Sequence, residues 1–123
     1  MFSVGVDRSE DVVVLQCRGR MVRGDATHVL RDAVTSQRNT RIIVLDLSDL
    51  QALDGGGLGT LVFLYCWTTD NGIQLKLVNP SHMVREMLER TRLSALFEVS
   101  TVDEALTILR SPDYYHRECA IAS

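Results

Sequence analysis

A single short segment of this chain combines residue types that could do chemistry. Residues 54–59 read Asp-Gly-Gly-Gly-Leu-Gly and lie between a β-branched run and an apolar, helix-like run. Glycine loses more conformational freedom on folding than any other residue, so three in a row need a physical reason. One reason is close approach by a ligand or a partner's backbone, because free N–H groups and the positive dipole end of a helix attract anions. The other is a permissive turn without a ligand.

Known phosphate-binding motifs fit this segment poorly. A Walker A loop continues from its last glycine into Lys and then Ser or Thr, whereas Thr60 directly follows Gly59. The dinucleotide pattern G-x-G-x-x-G fails too, because residues 60–62 are Thr, Leu and Val. No cofactor is therefore assigned, and nucleotide or anion sensing through the glycine segment stays open as one alternative.

The remaining residues offer no catalytic or metal-binding set. The histidines His28, His82 and His116 are far apart, and the lone pair of His116 and Cys119 falls short of a zinc ligand set. The sequence contains no G-x-S-x-G nucleophile elbow and no recognisable acid–base pair. We expect neither an enzyme nor a metalloprotein.

Composition and charge exclude further classes of protein. Thirteen Lys and Arg against sixteen Asp and Glu give a formal net charge of −3 without a basic cluster, so the electrostatic signature of a nucleic-acid binder is missing. The longest apolar stretch, residues 58–67, is about half the length of a membrane span. The N-terminus lacks the basic and apolar regions of a signal peptide. The three cysteines, Cys17, Cys66 and Cys119, form no CxxC pair, and this pattern favours reduced thiols in the cytoplasm.

The elements that must position the glycine segment follow from hydrophobic periodicity. Apolar and β-branched runs predict about five strands, near residues 4–6, 12–19, 41–47, 73–78 and 96–99. Helical spacing and start signals predict about four helices, one from Gly24-Asp25, one over 58–67, one after 79–81 and one over 100–109. Residues 48–53 are expected to form a loop. This order indicates an α/β fold with a mixed, mostly parallel sheet in one domain, residues 1–110, followed by a loosely ordered tail, residues 111–123.

Some side chains are expected on the inner faces of these helices. For the first helix they are Ala26, Val29, Leu30, Ala33 and Val34, and for the third they are Val84, Met87, Leu88 and Thr91. Among Phe63, Tyr65 and Trp67, at least one is expected in the core and another exposed, since alternate residues do not share a helix face. An exposed Tyr65 or Trp67 would be a candidate anchor for a partner.

The central motif closely resembles that of STAS domains, the family of bacterial anti-sigma-factor antagonists. Residues 43–50, Ile-Val-Leu-Asp-Leu-Ser-Asp-Leu, and 53–59, Leu-Asp-Gly-Gly-Gly-Leu-Gly, match the family's strand ending in D-L or L-S, its short loop and its D-S-[ST]-G-L-G motif. Further similarity extends over about residues 2–110. It is carried by Gly19-Arg20-Met21, Asn79-Pro80-Ser81, residues 93–97 and residues 103–106. The resemblance implies a STAS fold and a binding module rather than an enzyme.

The resemblance also implies a type of partner. STAS antagonists dock onto the ATP-binding face of an anti-sigma kinase, which phosphorylates a Ser or Thr at the start of the central helix and so breaks the complex. A phosphate adds about −1.5 to −2 charges at such an interface. The acceptor position matches Gly56 here, preceded by Gly55, so this chain would not be phosphorylated there. The residues expected to bind the partner are Asp54, Gly55, Gly56, Gly57, Leu58, Arg20, Arg23 and Asp25.

Nearby residues have plain structural interpretations as well. Asp54 is expected to cap the following helix, and the hydroxyls of Thr60, Ser48 and Ser81 are expected to serve local turns or helix starts rather than to accept a phosphate. Two interpretations apply to a cluster of charged residues, Arg18, Arg20, Arg23 and Asp25. They are either part of the interface or solvated loop residues. The family often has Asp where Val22 stands here.

Two other functions and one assembly stay open. The chain could be the STAS subunit that regulates the ATPase of an ABC lipid-transport complex, or the anion sensor considered above. Another STAS or partner-switching protein could replace the kinase as partner. An edge strand such as residues 4–6 could also pair between two copies of the chain to form a homodimer.

Overall fold

The computed structural model describes residues 1–93, Phe97 and Val99–Ser100. Within these residues, five strands form one sheet and three helices connect strands. The strands are β1 (Ser3–Ser9), β2 (Val12–Met21), β3 (Ile42–Leu53), β4 (Gln74–Val78) and β5 (Val99–Ser100). The helices are α1 (Asp25–Thr35), α2 (Gly55–Asp70) and α3 (His82–Arg90).

The sheet has its strands in sequence order, β1-β2-β3-β4-β5. β1 and β2 form the predicted antiparallel hairpin, whose turn is Glu10–Asp11, with Glu10 in the left-handed region at φ 55°. Each later strand is parallel to its neighbour, so α1, α2 and α3 are the connections between parallel strands. The prediction of an α/β fold with a mixed, mostly parallel sheet is confirmed.

The main core lies between the three helices and one face of the sheet. Its helical members are Leu30 and Val34 of α1, Leu61 and Leu64 of α2, and Val84 and Leu88 of α3. The opposite face of the sheet forms a second, smaller cluster of strand residues: Ile42, Val44 and Val78, with Val12 and Val14 packed against it. β3 is thus buried on both faces over its first half, as its near-continuous β-branched sequence predicts.

β3 is longer than predicted, because residues 48–53 belong to the strand and not to a loop. Its register with β2 shifts twice, between Gln16 and Arg18 and between Gly19 and Arg20, and at each shift β3 contains one additional residue. Such bulges interrupt the two-residue alternation by which a strand is recognised in a sequence. As a consequence, β3 runs directly into Asp54 at the start of the glycine segment.

Three residues in or next to the helices test the sequence predictions; two differ from them and one confirms them. Val29 is 41% exposed and does not belong to the inner face of α1. Thr91 is exposed as well; it is the C-cap of α3, and its hydroxyl donates to the Met87 carbonyl at 2.8 Å. Ser81 caps the start of α3, as expected, by accepting a hydrogen bond from the Val84 N–H.

The C-terminal part of the sequence is described only in places. The strand predicted over residues 96–99 is found at Val99–Ser100, and Phe97 before it is a buried core residue. Of the fourth predicted helix only Ser100 is described, and it belongs to β5. The rest of that helix and the predicted tail, residues 111–123, lie outside the described residues.

Candidate functional site

The glycine segment is the first turn of α2 rather than a loop that precedes a helix at Leu58. α2 begins at Gly55, and Asp54 is its N-cap, in extended backbone conformation. The Asp54 side chain accepts a hydrogen bond from the Gly57 N–H at 2.9 Å, which confirms the expected capping role. A carboxylate thus already occupies the N-terminus of the helix, where a bound anion would otherwise be placed.

The consecutive glycines have a steric explanation at two of their positions. A Cβ on Gly57 would lie 2.2 Å from the carbonyl oxygen of Met21 and 2.5 Å from a methyl group of Leu53. A Cβ on Gly56 would lie 3.0 Å from both Cα and Cβ of Arg23. The packing at the end of β2 therefore requires glycine at position 57 and disfavours a side chain at position 56.

The other two glycines of the segment face open space. A Cβ added to Gly55 or to Gly59 would have no atom of another part of the chain within 4 Å. Gly55 and Gly59 are one helical turn apart and both exposed, so they leave a strip of bare α2 backbone at the surface. The four glycines thus differ: two permit close packing within the chain, and two keep the surface of the helix flat.

The connection between β2 and α1 is bound to this helix terminus through Asp54. The Arg23 N–H donates to both carboxylate oxygens of Asp54, at 3.1 Å each, across 31 positions of sequence. The hydrogen bonds from the N–H groups of Arg23 and then Gly57 hold the pKa of Asp54 below its ordinary value, since both favour the charged carboxylate. Asp54 therefore joins two elements and remains ionised.

The remaining predicted site residues lie around the same end of the sheet. Arg20 is exposed near the end of β2, and its Cα is paired with Ala52, two residues before Asp54. Arg23 follows β2 directly and contacts Asp54 as described, and Asp25 is the exposed first residue of α1. The parallel strands β2 and β3 both end here, which is why residues so distant in sequence meet.

Of the two hydroxyl residues predicted to serve local structure here, Thr60 uses its hydroxyl within α2 and Ser48 is bonded through its backbone. Thr60 is 6% exposed, and its hydroxyl donates to the Gly56 carbonyl at 2.9 Å, as its position one turn later predicts. Ser48 is exposed, but it lies within β3 rather than in a loop, and its N–H donates to an Asp46 carboxylate oxygen.

The exposed aromatic residue of α2 is Phe63, and not Tyr65 or Trp67 as considered from the sequence. Tyr65 and Trp67 pack against the core, and the Tyr65 ring meets the Phe97 ring edge to face at 5.7 Å. Phe63 is 36% exposed, and the guanidinium carbon of Arg31 lies 3.8 Å from its ring centroid. The four-residue spacing of Gly55, Gly59 and Phe63 is a helical signal from which this placement could have been inferred.

Comparison with known proteins identifies the family. The STAS domain profile matches residues 3–105 of the chain. The chain belongs to the STAS domain family. Its fold is that of anti-sigma factor antagonists. The unphosphorylated form of the antagonist SpoIIAA, from Bacillus, matches with a TM-score of 0.75 at 20% identity, over 88% of this chain and 96% of that chain.

Two further solved structures share this STAS fold. A putative anti-sigma factor antagonist from Thermotoga maritima has a TM-score of 0.73 at 23% identity, over 88% of this chain and 95% of that chain. An anti-sigma factor antagonist from Mycobacterium paratuberculosis has a TM-score of 0.72 at 21% identity, over 90% of this chain and 96% of that chain. At these identities the likeness establishes the architecture of the STAS domain, while the properties of its surface follow from its own residues.

Two further observations complete the description of this STAS domain. None of its described helices is both long enough and apolar enough to cross a membrane. Cys17 is a buried free thiol whose pKa is raised to about 12, mainly by its burial, whereas Cys66 is a free thiol on the exposed side of α2. Cys119 lies outside the described residues.

Proposed function

We propose that this STAS domain is a non-catalytic binding module of the anti-sigma-factor-antagonist type, acting in the cytoplasm of a bacterial cell. Its partner is an anti-sigma serine kinase or another protein of a partner-switching pathway. The partner contacts the start of α2 and the end of β2, that is, Asp54, Gly55, Gly56, Gly57 and Leu58 together with Arg20, Arg23 and Asp25. The surface formed by these residues is called the α2 N-terminal surface below.

One observation carries this proposal: the α2 N-terminal surface presents exposed charged groups around bare helix backbone. Arg20, Arg23 and Asp25 are exposed, and Gly55 has nothing within 4 Å of the position of a Cβ. A flat backbone surface lets a partner approach closely, while surrounding charges steer association and select the partner. Such a surface suits a binding protein, and it offers no paired nucleophile and base for catalysis.

The proposal includes permanent activity, meaning that phosphorylation at the start of α2 does not end partner binding by this domain. SpoIIAA has an unphosphorylated and a phosphorylated form. In the present chain, residues 54–59 contain no hydroxyl group, and the hydroxyl that follows, on Thr60, is buried and donates to the Gly56 carbonyl. The partner complex of this chain is therefore not broken by phosphate at Gly55 or Gly56.

The alternatives receive less support from the same residues. An anion sensor would use the free N–H groups at the start of α2, but Asp54 accepts the Gly57 N–H and adds a negative charge there. Regulation of an ABC transport ATPase would use the same fold, and no contact among the described residues favours it. β1 is at the edge of the sheet, so a homodimer through this strand is compatible with binding at the α2 N-terminal surface.

The test is direct measurement of binding. Each anti-sigma-type serine kinase of the source organism is purified, and its affinity for the immobilised full chain is measured with ADP and with ATP. We expect one kinase to bind, and Arg20→Glu and Arg23→Glu each to weaken binding by about tenfold or more. The matched control is Arg85→Glu, an exposed arginine on α3, which should leave the affinity unchanged within about twofold.

Phosphorylation is tested in the same preparations. The kinase is incubated with radiolabelled ATP and the native chain, with SpoIIAA-type substrate as positive control, and the native chain should stay unlabelled. Label on this chain would refute the claim of permanent activity. Binding to a transport ATPase and to none of the kinases would show that the partner is the ATPase of the alternative function.

A further inference from the structure

The connection between β2 and α1 passes close over the first turn of α2. The Cα and Cβ of Arg23 each lie 3.0 Å from the place of a Cβ on Gly56, and the Arg23 nitrogen lies 3.2 Å from it. Contacts of this length are tighter than nine in ten real Cβ contacts. By contrast, the place of a Cβ on Gly55, one residue earlier, is open to at least 4 Å. Positions 55 and 56, which are adjacent on one helix turn and exposed or half-exposed, therefore differ sharply in the room they offer for a side chain.

Backbone strain does not explain the glycine at position 56. The glycines with positive φ in the described residues are Gly19, Gly24 and Gly72, so Gly56 has a backbone conformation that any residue adopts. The restriction on position 56 is therefore one of space, and the backbone of Arg23 imposes it.

The hydrogen bonds of Asp54 hold Arg23 in this place. Both bonds from the Arg23 N–H measure 3.1 Å, near the long limit for a good N–H···O bond. A side chain at position 56 would push Arg23 away by a few tenths of an ångström. Because these bonds are already long, that movement would weaken them, whereas the shorter bond from Gly57 within the helix would be spared.

We infer that Asp54 is a positioning residue that fixes the β2–α1 connection on the first turn of α2. The connection lies close to the space that a side chain at position 56 would need, whereas position 55 has room for a side chain. The role of Asp54 does not depend on the proposed function. Only its consequence for the α2 N-terminal surface rests on that function. There, two features oppose regulation by phosphate. The acceptor hydroxyl is missing, and Arg23 crowds the place of the side chain that would carry it.

The consequence is that a partner meets a surface of fixed shape. The backbone of Arg23, which the proposed function assigns to partner binding, is held through its own N–H and does not depend on the partner for its placement. Preorganisation of this kind reduces the ordering cost of binding. A serine at position 56 would release Arg23 and so change the binding surface even without a kinase.

The experiment compares Gly56→Ala with its matched control, Gly55→Ala, by amide hydrogen exchange measured by NMR on the isolated full chain. Alanine adds the Cβ without a hydroxyl, so only the steric effect is tested. We expect Gly56→Ala to accelerate exchange of the Arg23 amide on the order of tenfold, the equivalent of one hydrogen bond, and to leave the Gly57 amide protected. Gly55→Ala should change both rates by less than about twofold.

A second variant covers the case in which Gly56→Ala fails to fold. Asp54→Asn retains one oxygen for the helix cap but loses the second acceptor and the charge, so exchange of the Arg23 amide should rise more than that of Gly57. Equal Arg23 exchange in the two alanine variants, or an Arg23 amide indifferent to Asp54→Asn, would overturn the inference. Neither measurement uses a partner, so this failure is distinct from failure of the proposed function.

Discussion

Gly57 and Met21 approach so closely that a single methyl group does not fit between them. The place of a Cβ on Gly57 is 2.2 Å from the Met21 carbonyl oxygen, which is a backbone atom at the end of β2. The methyl group of Leu53 closes the same space at 2.5 Å. α2 thus begins directly against the ends of two parallel strands, and this contact sets where the α2 N-terminal surface lies relative to the sheet.

Gly57→Ala should destabilise the protein substantially. Neither the Met21 backbone nor the buried Leu53 can move freely, so α2 must shift away from the sheet, and we expect the free energy of unfolding to fall by about 1–3 kcal/mol. Urea unfolding followed by circular dichroism measures this change. The matched control is Gly59→Ala, whose added methyl group meets open space, and which should raise stability by up to about 1 kcal/mol through helix propensity. Equal effects of the two substitutions would contradict the packing described.

Asp11 should contribute stability that disappears in acid. Its carboxylate accepts hydrogen bonds from the Arg41 guanidinium at 2.7 and 3.2 Å, and these hold the pKa of Asp11 below its ordinary value of 3.8. Because the folded-state pKa is lowered, the contribution is complete above 3.8 and is lost as the pH falls through the lower folded value.

The variant Asp11→Asn isolates this contribution. Urea midpoints of the native chain and the variant are compared from about pH 6 to about pH 2. The native chain should be the more stable at the upper end, and the difference should shrink below pH 3.8. A difference that stays constant through this range would show that Asp11 titrates alike in the folded and unfolded chain.

The sequence predicts the sheet better than it predicts the site. β-branched runs and their spacing are local signals, and they locate the hairpin and the parallel strands through β4, while the predicted fifth strand overlaps β5 only at Val99. Helix-start signals locate the capping residues Asp54 and Ser81 correctly. The end of β3 is hidden because two bulges interrupt its alternation. The helical glycines are misread because glycine is a poor helix former, and the reason for its presence at position 57, the Met21 carbonyl, is distant in sequence and visible only in the fold.

Phe63 and Arg31 should be energetically coupled across α1 and α2. The guanidinium lies over the ring at 3.8 Å, and within the described residues the buried Arg31 Nε has no hydrogen-bond acceptor that would compete with the ring. A double-mutant cycle with Phe63→Ala and Arg31→Met should give a coupling energy of about 0.5–1 kcal/mol. Arg31→Met retains the alkyl packing, so additive effects of the two substitutions would mean that the cation contributes nothing through the ring.

Cys66 and Cys17 should differ greatly in reactivity towards thiol reagents. Cys66 is exposed on α2, whereas Cys17 is fully buried and its pKa of about 12 leaves almost no thiolate at neutral pH. In a Cys119→Ser background, a chromogenic disulfide reagent should therefore label one thiol per folded chain rapidly, and the second only at the rate of unfolding. Cys66→Ser should abolish the rapid phase, and urea should restore labelling of Cys17. A rapid phase that survives Cys66→Ser would show that the core around Cys17 opens readily, contrary to its complete burial between the sheet and the helices.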